Sequence, residues 1–206
     1  ALSGPINIHC DHSDAMAERD SGWVQLWAEN AQEAYDFTVM AYKIAEHKDV
    51  RLPVMVNFDG FIISHGVEVV ETLDDELVKK FVGKQEKIYP LLDTSNPVTY
   101  GSIDMYDYYF EHKRQQVEAM KYVPRVFKEV AEEFAKISGR KYDLVDEYML
   151  DDAEYVMVAL GSTAGTIKHT INELRKEGKK VGLIKPWIFR PFSKEEYQRL
   201  LTGRKA

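Results

Sequence analysis

The amino-acid sequence predicts an α/β fold in two parts, because strand-like and helix-like segments alternate along its 206 residues. Residues 52–58 form an apolar run rich in β-branched side chains, preceded by a helical pattern and, before that, by a strand-like run at residues 23–27. The same alternation returns near the C-terminus. Residues 140–152 between the two parts are polar, so we expect one unit at residues 1–150 and a second at residues 151–206.

Polar side chains follow two predicted strands of the first unit. Residues 5–10 have the pattern of a strand, and Asp11 and His12 come directly after them. Asp59 comes directly after the strand predicted at residues 52–58. Because ligands of open α/β sheets bind beyond the carboxyl ends of the strands, we expect Asp11, His12 and Asp59 to share one rim of the sheet.

Capping and periodicity predict the first long helix. The side chain of Asn30 can accept a hydrogen bond from the amide of Glu33, and the side chain of Glu33 can reach back to the amide of Asn30. This arrangement is the capping box that opens many helices. Apolar residues then recur at a helical period, and the helix is expected to end near Lys48.

The remainder of the first unit is predicted to be helical around a long loop. A short helix is expected at residues 74–82, and the stretch at residues 84–102 has prolines and little periodicity, which indicates a long excursion. Residues 105–137 have a helical and highly charged pattern. We expect Pro124 to split this helix and Gly139 to end it.

The second unit has the pattern of one βαβ crossover. A buried strand at residues 155–160 turns at Gly161 into a helix at residues 166–177, and another strand follows at residues 181–184. Ser193 opens a last helix with a second capping-box pattern. Because one crossover cannot cover both faces of its sheet, this unit is expected to be incomplete or to be completed by a partner.

The composition argues against several classes of function. With 27 basic and 34 acidic residues the net charge is −7, which disfavours nucleic acid as a partner. No apolar run approaches the roughly 18 residues of a membrane helix and the chain does not open with a leader, so we expect a soluble, cytoplasmic protein with no membrane partner. Cys10 is the only cysteine in the sequence, so any iron–sulfur or zinc–thiolate chemistry must lie on another chain.

The first candidate site is the polar string at residues 9–14, which holds five potential ligands or acid–base groups. A strand-to-loop context does not point such side chains in one direction, so we expect no metal there. His12 could instead line a substrate site or move a proton, with its imidazole oriented by Asp11 or Asp14. The alternative is a loop histidine that satisfies backbone carbonyl groups.

The second candidate site follows the strand at residues 52–58. It contains Ser64 and His65, which are not expected to form a nucleophile–base pair because adjacent side chains rarely face each other. Asp59 could equally cap a turn there, with a purely structural His65. A third candidate, the glycine turn at residues 161–165, could cradle an anion at a helix start, but no lysine follows it as in a phosphate-binding loop.

Four groups of residues, in chain order, carry a resemblance to a known family. The first is the string ALSGPINIHCDHSDAMAERDSGW at residues 1–23. The others are ENAQEA at 29–34, FDGF at 58–61 followed by Ser64 and His65, and GLIK at 182–185 leading to RPF at 190–192. Together, and across nearly the whole chain, they resemble the alpha subunits of pyruvate:ferredoxin oxidoreductases, within the 2-oxoacid:ferredoxin oxidoreductase family.

The resemblance implies both an architecture and a reaction. The first unit is similar to the C-terminal portion of a domain that binds the aminopyrimidine of thiamine diphosphate, and the second to the start of a transketolase-C-terminal-like α/β domain. The implied reaction converts pyruvate, coenzyme A and oxidised ferredoxin into acetyl-CoA, CO2 and reduced ferredoxin. It implies thiamine diphosphate with Mg2+ at a site mostly outside this chain, [4Fe-4S] clusters on other subunits, and beta, gamma and delta subunits as partners.

The resemblance also assigns positions to residues of this chain. In the family, the glutamate that activates the aminopyrimidine, a threonine near pyruvate and the arginine that pairs with its carboxylate precede the position of Ala1, so this chain alone is expected not to turn over. The motifs place the following residues at the edge of the active-site cavity or at the adjacent helix start: His12 as a lining or proton-relay group, with Asp11, Asp14, Arg19 and Asn30. They place Asp59, Ser64 and His65 near the subunit interface.

Two other interpretations stay open at this point. A member of the same family could act on another 2-oxoacid, such as 2-oxoisovalerate or 2-oxoglutarate. The chain could also be a non-catalytic, structural part of a complex.

Overall fold

The computed structural model describes residues 4–204 except residues 6, 8, 86 and 102, and within them the chain forms six helices and six strands. The helices are α1 (Ser13–Ala17), α2 (Ala31–Ala45), α3 (Asp75–Val82), α4 (Tyr109–Ser138), α5 (Thr163–Lys176) and α6 (Lys194–Leu201). The strands are β1 (Val24–Trp27), β2 (Val54–Asn57), β3 (Val145–Tyr148), β4 (Tyr155–Val158), β5 (Val181–Pro186) and β6 (Ile188–Arg190). The predicted α/β class is confirmed.

The strands form two three-stranded sheets. In the first sheet the order is β2-β1-β6, with β1 parallel to β2 and antiparallel to β6. In the second sheet the order is β3-β5-β4, with β4 parallel to β5 and β3 antiparallel to it. Because α5 connects the parallel strands β4 and β5, the predicted βαβ crossover is confirmed.

The main core joins the first sheet to the long helices. Val24 and Leu26 of β1 are fully buried and belong to one apolar cluster with Phe37 of α2 and Phe127 of α4. Burial of such side chains stabilises a fold by about 1.5 to 3 kcal/mol each, so this cluster fixes the position of β1. The carboxyl ends of β1 and β2 are therefore held on a rigid base.

Helix α4 is continuous through Pro124, so the predicted split is wrong. Valines and phenylalanines on both sides of the proline are buried in the same cluster, and their packing holds the two halves in line. Gly139 ends the helix as predicted, with a left-handed φ of 74° that a residue with a Cβ atom adopts at a cost.

Three predictions about strands need correction. The described residues within 5–10 do not form a strand. The Asn7 side chain accepts a hydrogen bond from the amide of His9 at 2.9 Å, and Cys10 has a φ of 57°, and both features are typical of turns. Residues 6 and 8 lie outside the described residues. The polar stretch at 140–152 contains β3. Strand β4 is largely exposed rather than buried, because it is an edge strand with β5 on one side.

The first predicted capping box forms only in part, and the second does not form. The Asn30 side chain accepts the amide of Glu33 at 2.9 Å, as predicted. The Glu33 side chain, however, accepts the amide of Glu29 and ion-pairs with Lys185 instead of reaching back to Asn30. Ser193 precedes α6 but makes no capping hydrogen bond with its side chain. Glu33, in the first turn of α2, therefore binds Lys185 of β5 instead of completing the capping box.

The two sheets meet at Trp187, the residue between β5 and β6. Its carbonyl accepts the amide of Trp27 in the first sheet at 3.0 Å, and its amide donates to Leu144 beside the second sheet at 3.1 Å. Strand β6 therefore joins the first sheet although it follows β5 directly. The division into units at 1–150 and 151–206 stays a prediction.

Candidate active site

A cavity of about 410 Å3 opens beyond the carboxyl ends of β1 and β2, a volume typical of small-molecule sites. Strand β1 contributes Trp27, and strand β2 and the residue after it contribute apolar surface together with the Asn57 carboxamide. The loop and short helix before β1 contribute a polar wall that contains His12 and Asp14. The full lining is His12, Asp14, Ala15, Glu18, Trp27, Met55, Val56, Asn57 and Phe58.

The His12 side chain is held between an aromatic ring and a carboxylate. Its imidazole stands edge-on to the Trp27 indole, with ring centroids 4.6 Å apart. Its Nε2 atom lies 3.0 Å from Oδ1 of Asp59, and about a quarter of the His12 side chain stays exposed. The structure therefore brings His12 and Asp59 together at one rim, as the sequence predicted.

Helix α1 fixes the direction of the His12 loop. The Gln25 side chain on β1 donates to the carbonyl of Ala15 at 2.7 Å, which attaches the short helix to the sheet. The amide of Ser13 donates to Asp11 at 2.8 Å. Hydrogen bonds from the Ser13 hydroxyl and amide lower the pKa of Asp11 to about 2, so this carboxylate is ionised at neutral pH. Asp11 thus shapes the turn while Asp14 lines the cavity.

Asp59 is almost completely buried, with 1% of its side chain exposed. Its Oδ2 atom accepts the amide of Ser162 at 2.6 Å, at the turn that precedes α5. That turn passes through Gly161, whose φ is 67°. The predicted glycine turn at 161–165 therefore does contact an anion, and the anion is a carboxylate of this chain.

Arg19 does not line the His12 cavity. It lines a separate cavity of about 260 Å3, together with Arg190. Its guanidinium group donates to the carbonyl of Met16 at 3.0 Å and lies 3.4 Å from Asp20. The role of Arg19 in cofactor binding stays a prediction.

Asn30, Ser64 and His65 are also not among the residues that line the cavity beside His12. Asn30 caps α2, and its cofactor-binding role stays a prediction. The Ser64 hydroxyl is 2.7 Å from Nδ1 of His65, so the expectation that these side chains would not face each other is wrong. The His65 ring stacks on the ring of Phe61, and this contact keeps it close to Ser64. The Ser64 hydroxyl also donates a hydrogen bond to a backbone carbonyl group. Their placement at a subunit interface stays a prediction.

A buried ion network that joins α2, α5 and β5 was not foreseen from the sequence. Lys185 on β5 is 1% exposed, and its ammonium group lies 2.5 Å from Glu29 and 2.6 Å from Glu33. Lys168 on α5 lies 2.8 Å from both Glu29 and Asp146. The available signal was a lysine inside an apolar strand, because a buried ammonium group requires a carboxylate partner.

The network sets the charge state of its members. Burial of Glu29 disfavours its ionised form, but attraction to Lys185 and hydrogen bonds from both lysines outweigh burial and lower its pKa below the usual value. Burial of Lys168 acts in the opposite sense to its hydrogen bonds with Asp146 and Glu29, which prevail and raise its pKa. Both groups are therefore charged at neutral pH.

The cavity residues fit the aromatic end of thiamine diphosphate and do not fit its charged end. Val56 and the exposed Phe58 offer apolar surface to a flat ring, and His12 and Asn57 offer polar groups beside it. Asp14 would repel a diphosphate. Among the described residues, no group of three or more histidine, cysteine, aspartate or glutamate side chains is arranged to hold a metal ion.

The fold and the site define an α/β chain with a small-molecule cavity at its strand ends. The family model described as "Pyruvate flavodoxin/ferredoxin oxidoreductase, thiamine diP-bdg" matches residues 1–132. A second, "Pyruvate:ferredoxin oxidoreductase core domain II", matches residues 153–206. The chain belongs to the pyruvate flavodoxin/ferredoxin oxidoreductase family, which confirms the resemblance.

Several curated proteins are similar to this chain. The pyruvate synthase subunit PorA of Thermotoga maritima is 68% identical over 206 residues, covering 100% of this chain and 53% of the relative. PorA of Methanocaldococcus jannaschii is 50% identical over 203 residues, covering 98% and 52%. The ketoisovalerate oxidoreductase subunit VorA of Pyrococcus horikoshii is 39% identical over 207 residues, covering 100% and 52%. The chain therefore spans about half the length of these relatives.

A solved structure has a similar fold. It is a 2-oxoglutarate:ferredoxin oxidoreductase from Magnetococcus marinus with 2-oxoglutarate, coenzyme A and succinyl-CoA bound. The match has a TM-score of 0.58 at 16% identity and covers 89% of this chain and 34% of that chain. Separately, none of the helices in the described part of the chain is both long enough and apolar enough to cross a membrane.

Proposed function

We propose that this chain forms part of the alpha subunit of an enzyme that oxidatively decarboxylates pyruvate to acetyl-CoA and CO2 with ferredoxin as electron acceptor. The observation that carries the proposal is the 68% identity to a pyruvate synthase subunit over 206 residues. The cavity beside His12 supports it, because it offers a partly enclosed small-molecule site at the strand ends.

The proposal divides the chemistry between this chain and its partners. When bound, thiamine diphosphate supplies the electron sink that decarboxylation of a 2-oxoacid requires. Its Mg2+ and diphosphate, the [4Fe-4S] clusters, and the binding of coenzyme A and ferredoxin are assigned to other parts of a complex with beta, gamma and delta subunits. The reducing cytoplasm is its proposed location, which suits the single cysteine of this chain.

His12 is proposed to act as a lining or proton-relay group. Its imidazole lies on the cavity wall, between the Trp27 ring and the Asp59 carboxylate. Trp27 and Val56 exclude water from one side of the cavity, which strengthens the effect of a positioned polar group. A histidine held in this way can accept a proton from, or donate one to, a group bound in the cavity.

The test uses the assembled complex that contains this chain. Pyruvate and coenzyme A should reduce ferredoxin and yield one acetyl-CoA for each CO2 released. The matched substrates are 2-oxoisovalerate and 2-oxoglutarate, and a higher kcat/KM for either would assign the enzyme to another branch of the family. Absence of turnover with all three, in a complex loaded with thiamine diphosphate and clusters, would support a structural role for the chain and refute the proposal.

A further inference from the structure

We propose that Asp59 is a positioning residue for His12, and that the Gly161–Ser162 turn holds Asp59 in place. Residues from three distant parts of the chain meet here, because His12 precedes β1, Asp59 follows β2 and the turn opens α5. The start of α5 would thereby control a side chain on the wall of the cavity. The catalytic meaning of this arrangement rests on the proposed function, but the geometry does not.

The two oxygens of the Asp59 carboxylate face different groups. Oδ2 accepts the Ser162 amide at 2.6 Å, which fixes the plane of the carboxylate. Oδ1 is buried and has no hydrogen-bond partner among the described residues, and Nε2 of His12 lies 3.0 Å from it. A buried carboxylate oxygen without a donor is costly, and this cost favours a proton on Nε2 of His12.

Gly161 makes the contact possible. A Cβ atom on this residue would lie 3.0 Å from Oδ1 and 3.3 Å from Oδ2 of Asp59. Both distances are tighter than ordinary van der Waals contact, so the carboxylate or the turn would have to move. The absence of a side chain at Gly161 therefore lets Asp59 approach the start of α5 and keep its orientation towards His12.

The consequence for His12 is a defined tautomer. With the Nε2 proton directed to Asp59, the neutral imidazole keeps Nδ1 free of a proton. A carboxylate that orients a histidine in this way is a common means of fixing its proton-accepting nitrogen. The Trp27 ring, whose centroid lies 4.6 Å from that of the imidazole, restricts rotation of the imidazole.

The experiment measures the tautomer directly in the 206-residue chain. Nitrogen-15 spectra of labelled histidines, recorded at about pH 8 where an ordinary imidazole is neutral, distinguish protonated from bare ring nitrogens. His12→Gln identifies the His12 signals among the six histidines. We expect Nε2 of His12 to carry the proton. Asp59→Asn should invert this preference, because the Ser162 amide requires an oxygen and the carboxamide must then turn its NH2 group towards His12.

A matched pair of glycine variants tests the turn itself. Gly161 and Gly178 have similar positive φ angles of 67° and 80°, so alanine introduces comparable backbone strain at both. The Cβ atom meets Asp59 at Gly161 and meets nothing within 4 Å at Gly178. Gly161→Ala should therefore give a mixture of His12 tautomers, whereas Gly178→Ala should keep the wild-type spectrum with a similar loss of thermal stability.

Kinetics of the assembled enzyme separate the inference from the proposed function. Gly161→Ala should lower kcat by about 10- to 100-fold, and Gly178→Ala should not. A changed tautomer with unchanged kcat would support the positioning of His12 and refute its part in the reaction. An unchanged tautomer in both Gly161→Ala and Asp59→Asn, with folded spectra, would overturn the positioning role.

Discussion

The ammonium group of Lys185 is expected to contribute far more to stability than a lysine at the surface. Methionine in its place keeps most of the apolar stem and removes the charge, which leaves Glu29 and Glu33 facing each other across the space of the lost ion pairs. Breaking a buried ion pair by removing one partner costs about 3 to 5 kcal/mol, because the remaining charge stays buried.

The structure favours the lower end of that range. Glu29 keeps an ion pair with Lys168 at 2.8 Å, and Glu33 keeps a hydrogen bond from the Trp187 indole at 2.9 Å. Neither glutamate is therefore left without a donor. We expect Lys185→Met to lower the free energy of unfolding by about 3 kcal/mol, which corresponds to about 6 to 12 °C in Tm for a chain of this size.

Urea unfolding monitored by circular dichroism measures this loss, with Lys128→Met as the control. Lys128 also faces two carboxylates, at 3.0 Å and 3.5 Å, but 41% of its side chain is exposed. A pair of that kind contributes about 0 to 1 kcal/mol. The double variant Lys185→Met with Glu33→Gln should recover part of the loss. Equal effects of the two lysine variants would refute the argument from burial.

Four further outcomes are expected. The free energy of unfolding should fall as the pH drops below about 4.3, the ordinary pKa of a glutamate, because the pKa of Glu29 is lowered in the folded state. Unfolding measured across an acid pH series should show a smaller fall for Lys185→Met, which lacks the ammonium group that lowers this pKa. Pro124→Ala should stabilise α4 by up to about 3 kcal/mol in urea unfolding, since the proline lies inside a continuous helix. Tyr142→Phe should cost about 1.5 to 3 kcal/mol by the same measurement, because its hydroxyl donates to the buried Asp36 carboxylate at 2.6 Å. In the assembled enzyme, steady-state kinetics of His12→Ala should show turnover about 10- to 1000-fold lower with an unchanged thermal melt, and full activity would make the loop structural.

Local patterns in the sequence were sufficient to predict several elements of the fold. The strands at β1 and β2 follow from apolar runs, and the start of α2 follows from Asn30, whose side chain caps the helix three residues on. The position of Asp59 at the rim follows from its place after β2, whereas His12 reaches the same rim from a turn and α1 rather than from the end of a strand. Each of these features depends on neighbours in the chain or on the general geometry of parallel strands.

Other features depend on partners far along the chain and left no local pattern. Strand β3 has the sequence VDEY and lacks apolar alternation, because Asp146 pairs with Lys168 and Glu147 pairs with Arg199. Glu33 looked like half of a capping box, yet its side chain binds a lysine 152 residues later. In both cases a charged side chain takes the place of an apolar one and satisfies its charge by tertiary contact.

Trp187 limits where this polypeptide can be cut. A fragment that ended at residue 150 would keep β1 but lose β6, so one edge of β1 would expose its backbone groups. It would also lose the two side-chain donors to the buried Glu33 carboxylate, the Trp187 indole and the Lys185 ammonium group. Open strand edges recruit other chains, so such a fragment should aggregate when expressed alone. Supplying residues 151–206 as a separate polypeptide during synthesis should restore solubility by strand complementation.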